Sequence, residues 1–370
     1  MEASSNKIPR PAKLSDIAKL AGCSASAVSS VLNNTSIAIR FLAETRRRIF
    51  EAARFLNYRP NAAARALSAG RMNIIGVPAL VNKGDNYTYL WEVFNGIIEA
   101  ADEFHQQATI FPLKNWEDGG PCLPSFLDGR IDGLLLISPI LSPEDAQQLP
   151  ASSPIVAVQS NTPLPNVFNV DCNDGHGAHL LMKHLLSCGH RRIVHLGGTR
   201  WHVSAVTRFN SYRRALEEAG IAFDPALVYY AGYSPDYQRE SLREYLRQLW
   251  AQHPPEAIFC ANDAIALTTI RLLNSMSIAV PHEVSVAGFD DTISAAIMNP
   301  PLTTVRQPLR AMGFHALAHL IHQIETKLQP MPNSSLVLPT ELIIRSSVIP
   351  RAESAQIKKP KSPRKPRRVR

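Results

Sequence analysis

The amino-acid sequence predicts an α/β protein in two parts: a small all-α head carrying a helix-turn-helix, then a larger core of two doubly wound lobes. Three observations predict it. The length of 370 residues exceeds one ordinary domain and fits two or three of about 100–150 residues. Up to about residue 71 apolar side chains recur at helical spacing, and beyond it short apolar runs alternate with amphipathic stretches. The charge divides at the same place. Residues 1–71 hold 12 Lys/Arg against 4 Asp/Glu, residues 72–356 hold 19 against 27, and residues 357–370 hold 8 against none, so the balances are +8, −8 and +8.

Several classes are excluded at once. Apolar residues at 45% and charged residues at 19% describe a globular chain, not a disordered one. Cys23, Cys122, Cys172, Cys188 and Cys260 are scattered, odd in number and without a CxxC pair, which argues against a disulfide scaffold or zinc finger and suits a reducing cytoplasm. No apolar run nears the ~18 residues of a membrane span. The opening MEASSNKIPR has no apolar core of a secretory signal, so a cytoplasmic protein without a membrane partner is expected. GxSxG, HExxH and GxxxxGK[ST] are missing, and the Gly197-Gly198 pair stands alone. The chain is therefore not read as an enzyme. His176, His179, His184, Cys188 and His190 crowd one stretch, but only His184 and Cys188 share a helical face, short of a zinc set. Neither a metal nor a cofactor is expected.

The head builds up in order. Ser15 is placed to cap a first helix, with Asp16 in its first turn and Ile17, Leu20 and Ala21 at helical spacing. Gly22 permits a tight left-handed turn. Ser24 then caps a second helix with an apolar stripe of Val28, Val31 and Leu32 and an outer face of Ala25, Ser26, Ser29 and Ser30. Small polar side chains there allow close approach to a major groove. A third helix starts near Ala43 and turns Ile49, Ala52, Ala53 and Leu56 inward. A basic head of this form points to a polyanion partner.

With LSDIAKLAGCS, VSSVLN, ETRRRI and LNYRPNAAARALSAG (56–70) in view, the sequence closely resembles the LacI/GalR family of bacterial transcriptional regulators. The resemblance implies that residues 61–69 are a hinge helix, ordered when two subunits lie together on double-stranded operator DNA. Local physics agrees. Pro60 stops the third helix, Asn61 can cap a new one, and Ala62 to Leu67 favour helix. So short a helix needs a partner to form. By resemblance, Leu67 wedges into the minor groove with Asn61 and Ala64 packed nearby. The DNA-facing set it implies is Lys13, Ser24, Ala25, Ser26, Ser29, Ser30, Asn33, Tyr58, Asn61, Ala64 and Leu67. Two departures stand out: Leu42 holds a place where a Ser cap is usual, and positions 25, 26 and 30 offer no Arg fork for guanine.

After Arg71, MNIIGVPAL, Ala108–Phe111, IDGLLLIS and SPIVAVQ read as buried parallel strands around a helix at Leu90–Phe104. A second series follows: helix AHLLMKHLLSCG, strand RIVHLGG, helix FNSYRRALEEAG, strands ALVYYAG and EAIFCAND, helix AIALTTIRLLNSM and strand EVSVAGFDD. Two such lobes in tandem form a cleft where strand carboxyl ends face each other. The resemblance extends over nearly all of residues 13–350. It implies an effector-binding, dimerising core built like a periplasmic sugar-binding protein, with chain crossings near 172–175, 300–303 and 333–336.

The cleft candidates are polar residues at strand ends. Arg208, Asn262 and Asp290 match family effector contacts, Ser204 and Arg208 follow RIVHLGG, and Gln307 lies in LTTVRQP. Tyr89 and Tyr233 could stack on a ring, and Asp263 reads as a helix cap. Gln159 replaces an acidic residue common in the family, which weakens a direct transfer of its sugars. The reading is a head at 13–71, a core at 72–350 and a disordered basic tail at 351–370, in a homodimeric regulator, a repressor by class, with a sugar-like effector. The alternative is a solute-binding sensor without regulatory DNA binding.

Overall fold

A computed structural model of the chain describes residues 10, 12–33, 40–61, 66, 70–80, 87–150, 152–162, 164, 166–233 and 239–351. The chain separates into two compact units, Met1–Met72 and Asn73–Arg370. The basic tail from 352 onward, and most of the expected hinge helix with Ala64 and Leu67, lie outside the described residues.

In the first unit, α1 (Leu14–Ala21), α2 (Ala25–Leu32) and α3 (Ala43–Phe55) close on a core of Ile17, Ala18, Ala21, Val28, Val31, Ile49 and Ala52. Gly22 adopts φ 63° and makes the turn between α1 and α2. Ser24 caps α2 by accepting the Ala27 N–H at 3.2 Å. Two expectations need correction. The cap of α1 is Lys13, whose backbone N–H is taken by the Asp16 carboxylate at 2.9 Å, so Ser15 lies inside the first turn. Leu20 faces outward and is 53% exposed, because Ile17, Ala18 and Ala21 already fill the contact face.

In the second unit, the first lobe is a six-stranded parallel sheet in the order β11-β5-β4-β3-β1-β2. Its strands are β1 (Ile74–Leu80), β2 (Gln107–Leu113), β3 (Gly133–Ile137), β4 (Ile155–Val158), β5 (Phe168–Cys172) and β11 (Ser335–Leu338). Continuous apolar runs such as GLLLI in β3 are buried throughout, as a sheet covered on both faces requires. Helix α4 (Tyr87–Glu103) packs one face together with a long late helix, 309–326. Their close approach demands glycine: a Cβ on Gly96 would lie 1.8 Å from the Arg310 carbonyl oxygen.

The second lobe is a parallel sheet, β7-β6-β8-β9, of β6 (Ile193–Gly197), β7 (Val228–Tyr230), β8 (Ala257–Cys260) and β9 (Ser285–Ala287). Helices α5 (Asp174–Ser187) and α6 (Val203–Glu218) cover one face; α7 (Arg239–Gln252) and α8 (Asp263–Ser275) cover the other. Helix α7, which the sequence reading passed over, completes the βαβ unit between β7 and β8. Its Leu242, Leu246 and Leu249, at i, i+4 and i+7, are buried. Helix α6 begins six residues ahead of FNSYRR, which puts Ser204 and Arg208 in its first turns. Strands β10 (Thr304–Arg306) and β12 (Glu341–Ile343) pair antiparallel and extend this lobe through bridges from Ala287 to Thr303 and Asp290 to Arg306.

The crossings between lobes fall at Asn173, Gln307–Pro308 and Pro339–Thr340. The last two lie about five residues later than expected. The bridges to β9 keep β10 in the second lobe until Arg306, after which α9 (Leu309–Thr326) returns to the first. Likewise β11 stays paired to β5 through Leu338.

Candidate functional site

Three parallel strands deliver the site. Ser138 follows β3, Gln159 follows β4 and Asp290 lies shortly after β9, and their φ angles are 47°, 48° and 121°. Left-handed backbone is uncommon for residues with a Cβ and gathers where a chain must aim a side chain. All three side chains face one cavity of about 110 Å³ between the lobes.

Each of the eight sequence candidates lines that cavity: Tyr89 and Gln159 from the first lobe, Ser204, Arg208, Tyr233, Asn262 and Asp290 from the second, and Gln307 at the crossing. A hydrogen-bonded chain spans the lobes. The Tyr89 hydroxyl donates to Gln159 Oε1, Gln159 Nε2 donates to Gln307 Oε1 at 2.7 Å, and Gln307 Nε2 donates to Asp290 Oδ1 at 2.5 Å. Buried Cys172 sits beneath it, with its thiol 3.0 Å from Gln307 Oε1. Burial, with Asp263 nearby, pushes the Asp290 carboxyl well above its usual range, against the pull of Arg208 and Gln307.

Arg208 is 2% exposed, and three of its five N–H groups are held by the protein. Nε and Nη2 donate to Asp174 Oδ1 at 2.9 and 2.7 Å. Nη1 donates to the Ala261 carbonyl, and the guanidinium carbon lies 3.8 Å from the centre of the Phe289 ring. Burial opposes the charge, but Asp174 and neighbouring acids more than offset it and hold the proton on. Asp171, Cys172 and Asp174 are near enough to one another to ligate a cation. Because Asp174 already faces the Arg208 guanidinium, a metal ion there would meet a fixed positive charge. Asp171, raised to about 6 by burial and then by Asp174, offers a weakened ligand.

Asn262, not Asp263, caps α8, its Oδ1 accepting the Ile265 N–H at 2.8 Å. Asp263 instead accepts from Thr304 Oγ1 at 2.6 Å and from the Thr292 N–H at 2.8 Å, joining α8 to β10. Its carboxyl is pushed up to about 7 by burial. The Gly197-Gly198 pair has a packing cause: a Cβ on Gly198 would lie 2.3 Å from the Tyr233 ring, whose hydroxyl meets Ser204 Oγ at 2.9 Å.

Sequence reasoning missed Leu80, Ser138, Ile140, Asn161 and His202 as lining residues. Ser138 and Asn161 follow buried strands, a signal the strand-end rule could have caught. His202, lowered to about 4 by burial, had none. The crowded histidines disperse: His190 bonds the Ile349 carbonyl at 3.1 Å and His179 faces Glu218 at 3.9 Å.

In the head, Lys13, Ser24, Ala25, Ser26, Asn33 and Asn61 are exposed, and Ser29 and Ser30 are half-buried. Asn33 Nδ2 donates to Ser29 Oγ at 3.2 Å, and Ser24 and Ser26 hydroxyls pair at 3.0 Å. Tyr58 packs its ring against the head core, so packing already accounts for part of it.

Comparison with known proteins brings the two units together. Residues 13–61 match the lacI family of bacterial regulatory proteins, and residues 182–348 match a periplasmic binding protein-like domain. The HTH-type transcriptional repressor PurR of Haemophilus influenzae (strain PittEE) is 30% identical over 344 residues, covering 91% of this chain and 98% of the relative. The HTH-type transcriptional regulator DegA of Bacillus subtilis (strain 168) is 32% identical over 340 residues, covering 90% and 97%. Among solved structures, a lac repressor dimer bound to operator and the anti-inducer ONPF superposes with a TM-score of 0.78 at 25% identity, covering 92% of this chain and 100% of the other. A complex of the transcriptional regulator CelR with cellobiose gives 0.67 at 28% identity, covering 91% and 100%. These relatives are regulators and not enzymes, and the matched head favours regulation over solute binding alone. No described helix is long and apolar enough to cross a membrane.

Proposed function

The chain belongs to the lacI family of bacterial regulatory proteins and is a DNA-binding transcriptional regulator, and from this premise we propose a cytoplasmic homodimeric repressor whose operator affinity is set by a small effector in the interlobe cavity. The observation that carries the effector reading is the convergence of Tyr89, Gln159, Arg208, Asp290 and their neighbours on one cavity. The amide and hydroxyl groups there suit a sugar or sugar-like molecule, in keeping with the cellobiose bound by CelR. The head is assigned to 13–71, the core to 72–350 and the basic tail to 351–370.

Two heads read half-sites about one helical turn apart, and paired hinge segments enter the minor groove between them. A second copy suits the apolar face of the core, where Trp91 is 61%, Ile98 55%, Ile110 55% and Ile293 70% exposed around a groove of about 590 Å³. Effector binding need shift the operator equilibrium by only about 1–3 kcal/mol to act as a switch.

Selection of bound genomic fragments at ~0.1 M salt tests the reading. The expected result is a palindromic site. Leu67→Ala is expected to weaken that site by about 100-fold, on the order of 3 kcal/mol, with circular dichroism unchanged. Recovery of fragments without a shared site overturns the regulator reading, and undiminished affinity in Leu67→Ala removes the wedge. The tail is assigned to DNA phosphates, so deleting 357–370 should flatten the dependence of log affinity on log salt. An unchanged slope rejects that role.

A further inference from the structure

The cavity contains a charge arrangement that bears on which effectors it admits. Among the described residues Arg208 is the one Lys or Arg in its lining, and burial keeps the imidazole of His202, also in the lining, neutral at neutral pH. The N-terminus of α5, capped by Asn173, supplies the other positive feature nearby through its helix dipole. One carboxylate absorbs both. Asp174 stands in the first turn of α5, is 6% exposed, and takes two donors of the Arg208 fork on a single oxygen. A carbonyl and an aromatic face take up more of the guanidinium. Asp290 lines the same cavity. Much of the remaining polar lining is neutral and can both donate and accept, among it Gln159, Gln307, Ser138, Ser204, Asn161 and Tyr233.

We propose that Asp174 is a specificity-determining residue: by holding the Arg208 guanidinium it refuses anions, so the cavity takes an uncharged polyhydroxy or amide-bearing effector and rejects phosphorylated or carboxylated ones. The inference rests on the assignment of this cavity as the effector site. An anion entering the cavity would find, among the described lining residues, no cation but Arg208, which Asp174 already neutralises. A hydroxyl or amide instead extends the hydrogen-bonded chain that already crosses the lobes.

Calorimetric titration of the full chain with inorganic phosphate and with glucose 6-phosphate, at constant ionic strength, tests it. The wild-type protein is expected to give no saturable heat with either up to ~10 mM, within the millimolar range of weak binding. Asp174→Asn, nearly isosteric but unable to neutralise Arg208, is expected to gain phosphate affinity at least ~10-fold, and the double variant Asp174→Asn/Arg208→Met to lose that gain. Saturable binding of either anion by the wild type overturns the proposal, as does a folded Asp174→Asn variant that gains nothing. If Asp174→Asn does not fold, the wild-type titration decides alone. Because no DNA is present, failure of operator binding would bring down the regulatory reading while leaving this result standing.

Discussion

The two lobes meet the cavity with opposite chemistry. The first contributes Leu80, Tyr89, Ser138, Ile140, Gln159 and Asn161, none of them charged; the second contributes Arg208 and Asp290, with His202, Ser204, Tyr233 and Asn262 around them. The second lobe has therefore settled its charges internally before any ligand arrives. The first offers neutral hydrogen bonds, of which the one from Gln159 reaches Gln307 at the crossing. Gln307, at the crossing, ties Gln159 to Asp290, so a change in lobe spacing is felt first by neutral bonds and only then by the ion pair.

The contrast is broken most severely from the charged side. Arg208→Met leaves Asp174 buried without its partner, a loss of about 3–5 kcal/mol, so the core's thermal midpoint should fall by on the order of 10 °C in calorimetry. A shift within about 2 °C would mean the pair is not needed for stability.

Gln159→Ala attacks the neutral side and should cost less, about 1 kcal/mol, because Tyr89 keeps Ser138 and Gln307 keeps Cys172 and Asp290 as partners. Its larger consequence should appear in the operator assay as a response to effector weakened about 10-fold. An effector response equal to wild type would show that the bridge across the lobes carries no signal.

The smallest expected effect is in pH dependence, which the second lobe dominates. The Asp263 carboxyl is raised to about 7, so the folded state holds a proton that the unfolded chain has released. The stability it contributes is complete below about pH 4 and is lost as pH rises through about 7. His195, buried and lowered to about 4, acts in the other direction, its contribution disappearing as pH falls from about 6.5 to 4. Asp263→Asn should flatten the decline in midpoint between pH 6.5 and 8, by a few degrees. An equally steep decline in the variant would assign it to other groups.

Much of this was legible beforehand, for reasons visible in particular residues. Ser24 at the start of α2, Gly22 in the turn and the buried runs GLLLI and IVAV act through neighbours close in the chain, and their local patterns sufficed. The helix over 239–252 is harder to read from sequence although Leu242, Leu246 and Leu249 mark it, because a strongly charged composition obscures its narrow apolar stripe. Local pattern does not distinguish Asn262 from Asp263 as the cap of α8, since both are competent caps and only the approach of Thr304 and Thr292 to Asp263 decides between them.

By itself the sequence determined the helical head, the alternation of strands and helices, the division of charge into basic, acidic and basic segments, and through family motifs the residues worth placing at strand ends. Tertiary structure alone decided that eight of those residues share one cavity, where the chain crosses between lobes, and that Arg208 is already bound to Asp174. The reason is distance along the chain. Periodicity and capping act over three or four residues, whereas the pairing of Arg208 with Asp174 spans 34 positions and that of Gln159 with Gln307 spans 148. Such contacts depend on strand order and crossing points, to which no local pattern is sensitive.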